Sequence, residues 1–314
     1  MKKHIALVAI AGMVLATACK KTDDTFDPAQ SGYPTDNLEI DIKQRVLLWE
    51  TTGTWCQYCP NGAEKLYQAL DKYGDKLVPI AHHVNDPIES TAGKELEPLF
   101  QTGSVPNFHV NTVNSGQDID GKLDSALQYA PVIGVNHTIR ENDTAFLVYP
   151  KVEFYEDALN KNFFIQSYIL IDEIEARDFG SGYNLNQVSS VPTVSGQNPT
   201  RWVQDAAPDQ NGDPLIKAGD PYLHKHVLWD RGMNTANQWG VRLDTVNALG
   251  NKFLKGDVFG TKYSPIVIAI EKDDVSPLPA NFAFVTLIWK PKEDGSGEFV
   301  IENGIYTVYG SPKQ

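Results

Sequence analysis

Cys56 and Cys59 are the residues of this sequence whose type and spacing most directly suggest chemistry. They lie in the stretch ETTGTWCQYCPNGAEKL, residues 50–66, with Trp55 before the pair and Pro60 after it. Two thiols at this separation can form a reversible disulfide, hold a metal ion, or act as a structural staple. A zinc site would need two more ligands, and because the chain has no second CxxC, only histidines could supply them.

The segments on either side of the pair predict how the cysteines are positioned. RVLLWE, residues 45–50, is typical of a short buried strand. The apolar residues after the pair follow the spacing of an amphipathic helix: Ala63, Leu66, Tyr67 and Leu70. The pair therefore joins a strand to a helix, where unpaired backbone N–H groups favour the Cys56 thiolate. Such a thiolate could attack a substrate disulfide, and Cys59 could then resolve the mixed disulfide.

The rest of the chain divides into two textures. Over residues 41–130, KLVPIAHHV and VPNFHV predict strands, while ESTAGKELEPLFQ and IDGKLDSALQYA predict helices, which indicates an α/β domain. Over residues 131–314, strand-like runs such as HKHVLWD, WGVRLDTV and FAFVTLIW follow one another without helices, and DGSG is a hairpin signal. We therefore expect an all-β, sandwich-like second domain.

The α/β domain resembles the thioredoxin family. The likeness depends on W-C-x-x-C-P at 55–60, on the flanking strand and helix, and on Val105-Pro106 before the third strand. The resemblance implies that the Val105–Pro106 bond is cis and faces the cysteines, with Pro106 as part of the catalytic site. It further implies that the Val105 backbone and Trp55 bind the substrate chain. The short interval after Pro106 predicts that the edge strand is short or missing.

Glu50, six residues before Cys56, matches the buried acid of that family. The resemblance implies that a desolvated Glu50, with a raised pKa, takes the proton of Cys59. The alternative is a solvated carboxylate at the end of a strand. The catalytic set is thus Cys56, Cys59, Glu50 and Pro106, and no cofactor is expected.

The first residues have the form of a bacterial export signal. Lys2 and Lys3 precede an eleven-residue apolar run, residues 5–15, and A-T-A leads to Cys19. Residues 1–18 are therefore predicted to be a signal peptide, Cys19 to carry lipid, and residues 19–40 to form a polar tether. The alternative is soluble export, in which Cys19 is a stray thiol. The predicted partners are a membrane, reached through this lipid, and a protein with a thiol, a disulfide or a docking surface.

The charge balance narrows the classes of partner. The formal net charge is −13, which argues against nucleic acid and against charge-driven binding to anionic lipid. No later apolar run approaches the length of a membrane-spanning helix.

The whole chain resembles a Bacteroidota lipoprotein family named after a twenty-eight-kilodalton outer-membrane protein. Beyond the features above, the likeness depends on YLHKHVL at 222–228, on Trp239-Gly240 and on Asn303 in FVIENG. The resemblance implies an outer-membrane lipoprotein in the cell envelope, and KKTDD after Cys19 resembles a surface-export signal. Its biochemical role is poorly defined.

Two further motifs contain side chains that could bind a metal ion. His224 and His226 would share one face of a strand and could bind a metal with a third ligand, although core histidines are commoner. DQNGD at 209–213 has oxygen ligands but no later bidentate acid, so a turn is expected rather than a calcium loop.

The sequence leaves three hypotheses for the function of the protein. They are a thiol–disulfide oxidoreductase, a non-catalytic binding or adhesion lipoprotein with a structural disulfide, and a metal-dependent lipoprotein.

Overall fold

The computed structural model describes residues 32–175, residues 222–272 apart from 234 and 236, and residues 281–309. The first part of the chain forms β1 (Val46–Thr52), α1 (Cys59–Tyr73), β2 (Leu77–His83), α2 (Thr91–Leu96), β3 (Asn107–Val110), β4 (Val113–Gly116) and α3 (Asp120–Ala126). The longer strands that follow are β5 (Ile133–Glu141), β6 (Ala145–Phe154), β8 (Phe164–Asp172), β9 (Val227–Arg231), β13 (Ile268–Glu271), β14 (Asn281–Pro291) and β15 (Phe299–Tyr309). Four two-residue strands complete the set: β7 (Ala158–Leu159), β10 (Val241–Arg242), β11 (Lys252–Phe253) and β12 (Val258–Phe259).

The first part has the thioredoxin-like α/β arrangement. Its strands lie in the order β2-β1-β3-β4, with β1 parallel to β2 and antiparallel to β3. The edge strand that the sequence left as short or missing is present, and β4 contains four residues. Helix α1 ends at Gly74, whose φ of 57° suits the left-handed region that glycine tolerates.

The second part is a β-sandwich. A smaller sheet, formed by β12, β6 and β13 with β5 against β6, covers one face of β8 and β14. Side chains of β8 and β14 alternate between two apolar clusters, one toward the smaller sheet and one toward the opposite side. Both faces of these two strands are therefore buried, which explains their nearly continuous apolar sequences. The DGSG hairpin between β14 and β15 is confirmed.

One sheet passes through both parts of the chain. Its strand order is β15-β14-β8-β9-β2-β1-β3-β4, and β10 also pairs with β8. The two parts join where β9 runs parallel to β2, through the pair Ala81 and Val227. The Ala81 N–H donates to the His226 carbonyl oxygen at 2.8 Å.

Asn303 fastens the same junction from β15. Its side-chain oxygen accepts from the Arg45 and Gly304 N–H groups at 3.0 and 2.9 Å. Its amide nitrogen donates to the carbonyl oxygens of Lys43 and Ile133 at 3.1 and 2.8 Å. One fully buried side chain thus links the segments entering β1 and β5 to β15.

Two local expectations are wrong. His224 and His226 do not lie on a regular strand, because His226 has a φ of 56° and β9 begins at Val227. The run from Trp239 to Val246 was expected to be a strand, but only Val241–Arg242 pairs, and a 3₁₀ turn follows over Leu243–Thr245. His224 still pairs with Ile174 in an isolated antiparallel bridge, and in the second segment the side chain of Leu243 is buried.

Candidate redox site around Cys56 and Cys59

The cysteine pair lies in the loop between β1 and α1. The two sulfurs form a disulfide, and the Cα atoms are 5.4 Å apart. The predicted position between a strand and a helix is confirmed: β1 ends at Thr52 and α1 begins at Cys59, with Pro60 in its first turn. Cys56 and Cys59 are only 4% and 2% exposed, whereas Trp55 and Tyr58 on either side are 41% and 51% exposed. Both cysteines are therefore almost inaccessible to solvent, while the two aromatic residues beside them in the sequence are exposed.

Pro106 lies against Gly62 of α1, and the Val105–Pro106 peptide bond is cis. The carbonyl oxygen of Pro106 accepts from the Gln117 side chain at 2.7 Å. A Cβ built on Gly62 of α1 would lie 2.6 Å from Pro106 Cβ and 2.6 Å from Glu50 Oε1. Glycine at position 62 is therefore what allows α1, β1 and the Pro106 loop to meet. The sequence signal was a glycine inside a helix, which our sequence reasoning did not use.

Glu50 is buried rather than solvated, so the alternative of a surface carboxylate is wrong. The side chain is 2% exposed, and its Oε1 atom has no hydrogen-bond partner. Burial raises the pKa of Glu50 from 4.5 to about 8, because the charged carboxylate is poorly solvated there. Glu50 thus has the desolvated character that the thioredoxin resemblance implied.

A second buried acid, Asp86, holds the start of the cysteine loop. Asp86 Oδ2 accepts from the Thr54 N–H at 2.8 Å and lies 2.7 Å from His83 Nδ1. Asp86 Oδ1 accepts from the Ile88 N–H at 3.0 Å. Burial on its own would raise the pKa of Asp86, but the hydrogen bonds from His83 and the two N–H groups bring it below its usual value. Sequence reasoning missed this pair because His83 and Asp86 carry no recognisable motif.

A small chamber lies behind Cys59. Its lining includes Cys59, Glu50, His83, Tyr222, His224 and His226. The volume that the centre of a water molecule can occupy inside it is about 20 Å³. That space is enough for about one water molecule. His224 and His226, which the sequence suggested as metal ligands, therefore lie in the same chamber as Cys59.

The substrate-binding residues implied by the resemblance line one cleft on the other side. Trp55 and Val105 border a cleft of about 600 Å³ together with Ser104, Phe100 and Glu97, although neither cysteine lines it. The Trp55 ring is fixed by a hydrogen bond from Nε1 to the Val84 carbonyl oxygen at 2.9 Å. Within the described part of the chain, no hydrogen bond engages the Val105 backbone.

Within the described residues, no third metal-type ligand forms a group with His224 and His226. Among the described residues, the single group of three clustered metal-type ligands is His82, Glu89 and Glu97, which does not include the cysteines. Within that group Lys94 already pairs with Glu89 at 3.1 Å. Cys19 and the DQNGD turn lie outside the described residues.

Comparisons with known proteins support the fold. HBP35 of Porphyromonas gingivalis, a member of the Bacteroidota, aligns with a TM-score of 0.55 and 16% identity over 88% of this chain and 80% of that chain. A structure from Agrobacterium tumefaciens aligns with a TM-score of 0.47 and 10% identity, over 87% of this chain and 98% of that one. At 16% identity, the likeness to HBP35 shows a common fold. No protein-family model matches the chain, and no curated protein matches it by sequence.

Within the described ranges, no helix combines the length and the apolar character needed to cross a membrane.

Proposed function

We propose that this protein is a cell-envelope lipoprotein of the Bacteroidota type whose thioredoxin-like domain exchanges thiols and disulfides. The observation that carries the proposal is the juxtaposition of the Cys56–Cys59 disulfide, the cis Pro106 loop and the buried Glu50. Each has a defined part in disulfide exchange: the sulfurs react, the Pro106 loop presents the substrate, and Glu50 moves a proton.

The reaction is written for the reduced protein and a disulfide substrate. The Cys56 thiolate attacks one substrate sulfur, forms a mixed disulfide, and releases the other sulfur as a thiolate. In the fraction of molecules whose Glu50 is ionised, Cys59 then gives its proton to Glu50 and attacks the Cys56 sulfur, and Glu50 afterwards releases that proton to solvent. The second substrate thiolate leaves, and both leaving thiolates take protons from solvent. The substrate gains two electrons, and Cys56 and Cys59 become the disulfide.

The pKa of Glu50 suits this proton transfer. Proton transfer is most efficient when donor and acceptor have similar pKa values, and a free cysteine thiol has a pKa of about 8.5. Burial brings the pKa of Glu50 to about 8. A solvated glutamate, at about 4.3, would be too weak a base for the thiol.

The cleft at Trp55 and Val105 would receive an extended peptide. Its lining also includes Ser104, Lys94 and Glu97. A polypeptide strand could pair with the Val105 backbone while a side chain packs against Trp55, which is 41% exposed. The substrate class is therefore an unfolded or extended protein segment that contains cysteine.

The burial of both sulfurs favours a second candidate function. With Cys56 and Cys59 at 4% and 2% exposure, the disulfide can serve as a staple inside a binding or adhesion protein. In that case the cleft would bind a partner without chemistry, and Trp55 and Val105 would contribute contact surface alone.

Trapping of partners separates these two functions. In an oxidoreductase, Cys59→Ser leaves Cys56 able to form mixed disulfides that cannot be resolved, so partner proteins accumulate on it. Cys56→Ser removes the attacking sulfur and is the matched control. Equal absence of trapped partners from both variants, with a reduction potential below about −300 mV, would assign the disulfide a structural role.

The envelope location depends on Cys19. Cys19→Ala should move the protein out of the detergent-soluble membrane fraction, because the lipid-bearing residue is gone. A mature N-terminus without acyl groups in mass spectrometry would contradict the lipoprotein proposal. Protease treatment of intact cells then distinguishes surface display from a periplasm-facing position.

A further inference from the structure

Glu50 is buried partly by residues that belong to the second part of the chain. Its chamber is walled on one side by the redox domain, through Cys59 and His83, and on the other by Tyr222 and His224. Tyr222 and His224 are themselves 7% and 6% exposed. The thioredoxin-like elements alone therefore leave this chamber without one of its walls.

Tyr222 and His224 form a column of rings that ends at the cysteine loop. The ring centroids of Tyr222 and His224 are 4.8 Å apart, and those of His224 and His83 are 4.7 Å apart and nearly perpendicular. His83 bonds to Asp86, whose carboxylate also accepts from the Thr54 N–H. The column thus reaches the backbone two residues before Cys56.

The backbone holds this segment in place. The His224 N–H donates to the Ile174 carbonyl oxygen at 2.8 Å, and the Ile174 N–H returns a bond at 3.1 Å. The His226 N–H donates to the Asp172 carboxylate, and the His226 carbonyl oxygen accepts from the Ala81 N–H at 2.8 Å. The segment from Tyr222 to His226 is therefore anchored to both β8 and β2.

We propose that Tyr222 and His224 are positioning residues of the redox site, which close the chamber behind Cys59 and keep bulk water away from the Glu50 carboxyl. This inference deepens the proposed function and rests on it for its catalytic meaning. It predicts that the second part of the chain tunes the proton chemistry of the cysteines, in addition to any partner it binds.

The charged and titratable groups around Glu50 come from three elements. They are Glu64 and Tyr67 of α1, His83 of β2, and Tyr222, His224, Lys225 and His226 of the segment before β9. Burial, with smaller contributions from the charges of Glu50 and Glu64, raises the pKa of Tyr222 far above its ordinary value. Burial also lowers the pKa of His224 well below its ordinary value. Tyr222 and His224 are therefore neutral at physiological pH. The raised pKa of Glu50 results from burial.

The test follows the Glu50 carboxyl directly in the oxidised full chain. Carbon-13 NMR of labelled glutamate gives its titration midpoint, and Glu50→Gln identifies its signal. Tyr222→Ala and His224→Ala should each lower this midpoint by about one unit or more, because water enters the chamber. Tyr222→Phe keeps the wall and removes only the hydroxyl, so its midpoint should stay or rise. Tyr149→Ala is the matched control: it truncates a buried tyrosine of the smaller sheet, 4% exposed, and should leave the midpoint unchanged.

The outcomes separate this inference from the proposed function. A folded Tyr222→Ala protein with an unchanged midpoint overturns the inference, as does a Tyr222→Phe protein whose midpoint falls as far as that of Tyr222→Ala. If an alanine variant does not fold, Tyr222→Leu is measured instead. Its Glu50 midpoint should fall by less than that expected for Tyr222→Ala, and an unchanged midpoint would overturn the inference. This titration needs no disulfide exchange. If Cys59→Ser trapped no partner proteins, the proposed function would be refuted. A lowered Glu50 midpoint in Tyr222→Ala would still support the role of Tyr222 in closing the chamber.

Discussion

Glu50 should make the stability of this protein depend on pH in an unusual direction. Its pKa is about 8 in the folded protein, against an ordinary value of 4.5. Between these values the unfolded chain has already lost the Glu50 proton while the folded chain still holds it. Folding must then retain a proton or bury a charge, so the stability contributed by Glu50 is complete below about 4.5 and is lost as the pH rises toward 8.

Glu50→Gln removes this loss, and the size of its effect follows from the pKa shift. Each pH unit above the unfolded pKa costs about 1.36 kcal/mol, so the variant should gain about 3 kcal/mol at pH 7 relative to its difference from wild type below pH 4.5. The buried amide adds an offset that does not change with pH, and the slope is therefore the quantity to test. Partial entry of water would reduce the slope without changing its sign.

Urea unfolding of the oxidised protein at about pH 5 and pH 7 measures this slope. The continuous sheet through both parts of the chain favours a single transition, which two probes should confirm. Glu271→Gln, at an exposed position on β13, is the charge-matched control and should give the same small difference at both pH values. A pH-independent difference between Glu50→Gln and wild type would show that Glu50 is solvated and would refute the argument.

Three further predictions concern the residues around the site. Asn303→Ala breaks four hydrogen bonds of a fully buried side chain and should lower the free energy of unfolding by about 3 kcal/mol or more in urea titration; a loss below about 1 kcal/mol would contradict its role at the junction. Asp86→Asn should cost about 3 kcal/mol at neutral pH, and because the folded pKa of Asp86 is lowered, this cost should shrink as the pH falls through that pKa; a loss that stays constant into acid would be the contrary result. Gly62→Ala should lower the melting temperature despite the better helix propensity of alanine, since its Cβ would meet Glu50 and Pro106, whereas Gly121→Ala in α3, which meets no atom within 4 Å, should not lower it.

Local sequence patterns predicted the thioredoxin-like part of the fold well. The buried strand before Cys56, the amphipathic helix after it and Val105-Pro106 are contiguous signals, and each depends on a few neighbouring residues. Strand alternation and the DGSG turn likewise predicted the longer strands of the second half. Where the pattern failed, at His226 and around Trp239, the backbone follows tertiary contacts. Trp239, for example, stacks on Phe299 at 4.1 Å, a contact that no local pattern contains.

The sequence by itself determined which atoms can react: two sulfurs with the spacing of a disulfide, next to a carboxyl at Glu50 and a proline at position 106. Only the tertiary structure decided the surroundings of that carboxyl. The pKa of Glu50 depends on which side chains exclude water from it, and two of these, Tyr222 and His224, lie more than 170 residues further along the chain. Exclusion of water is a property of packing in three dimensions, and no spacing along the sequence encodes it.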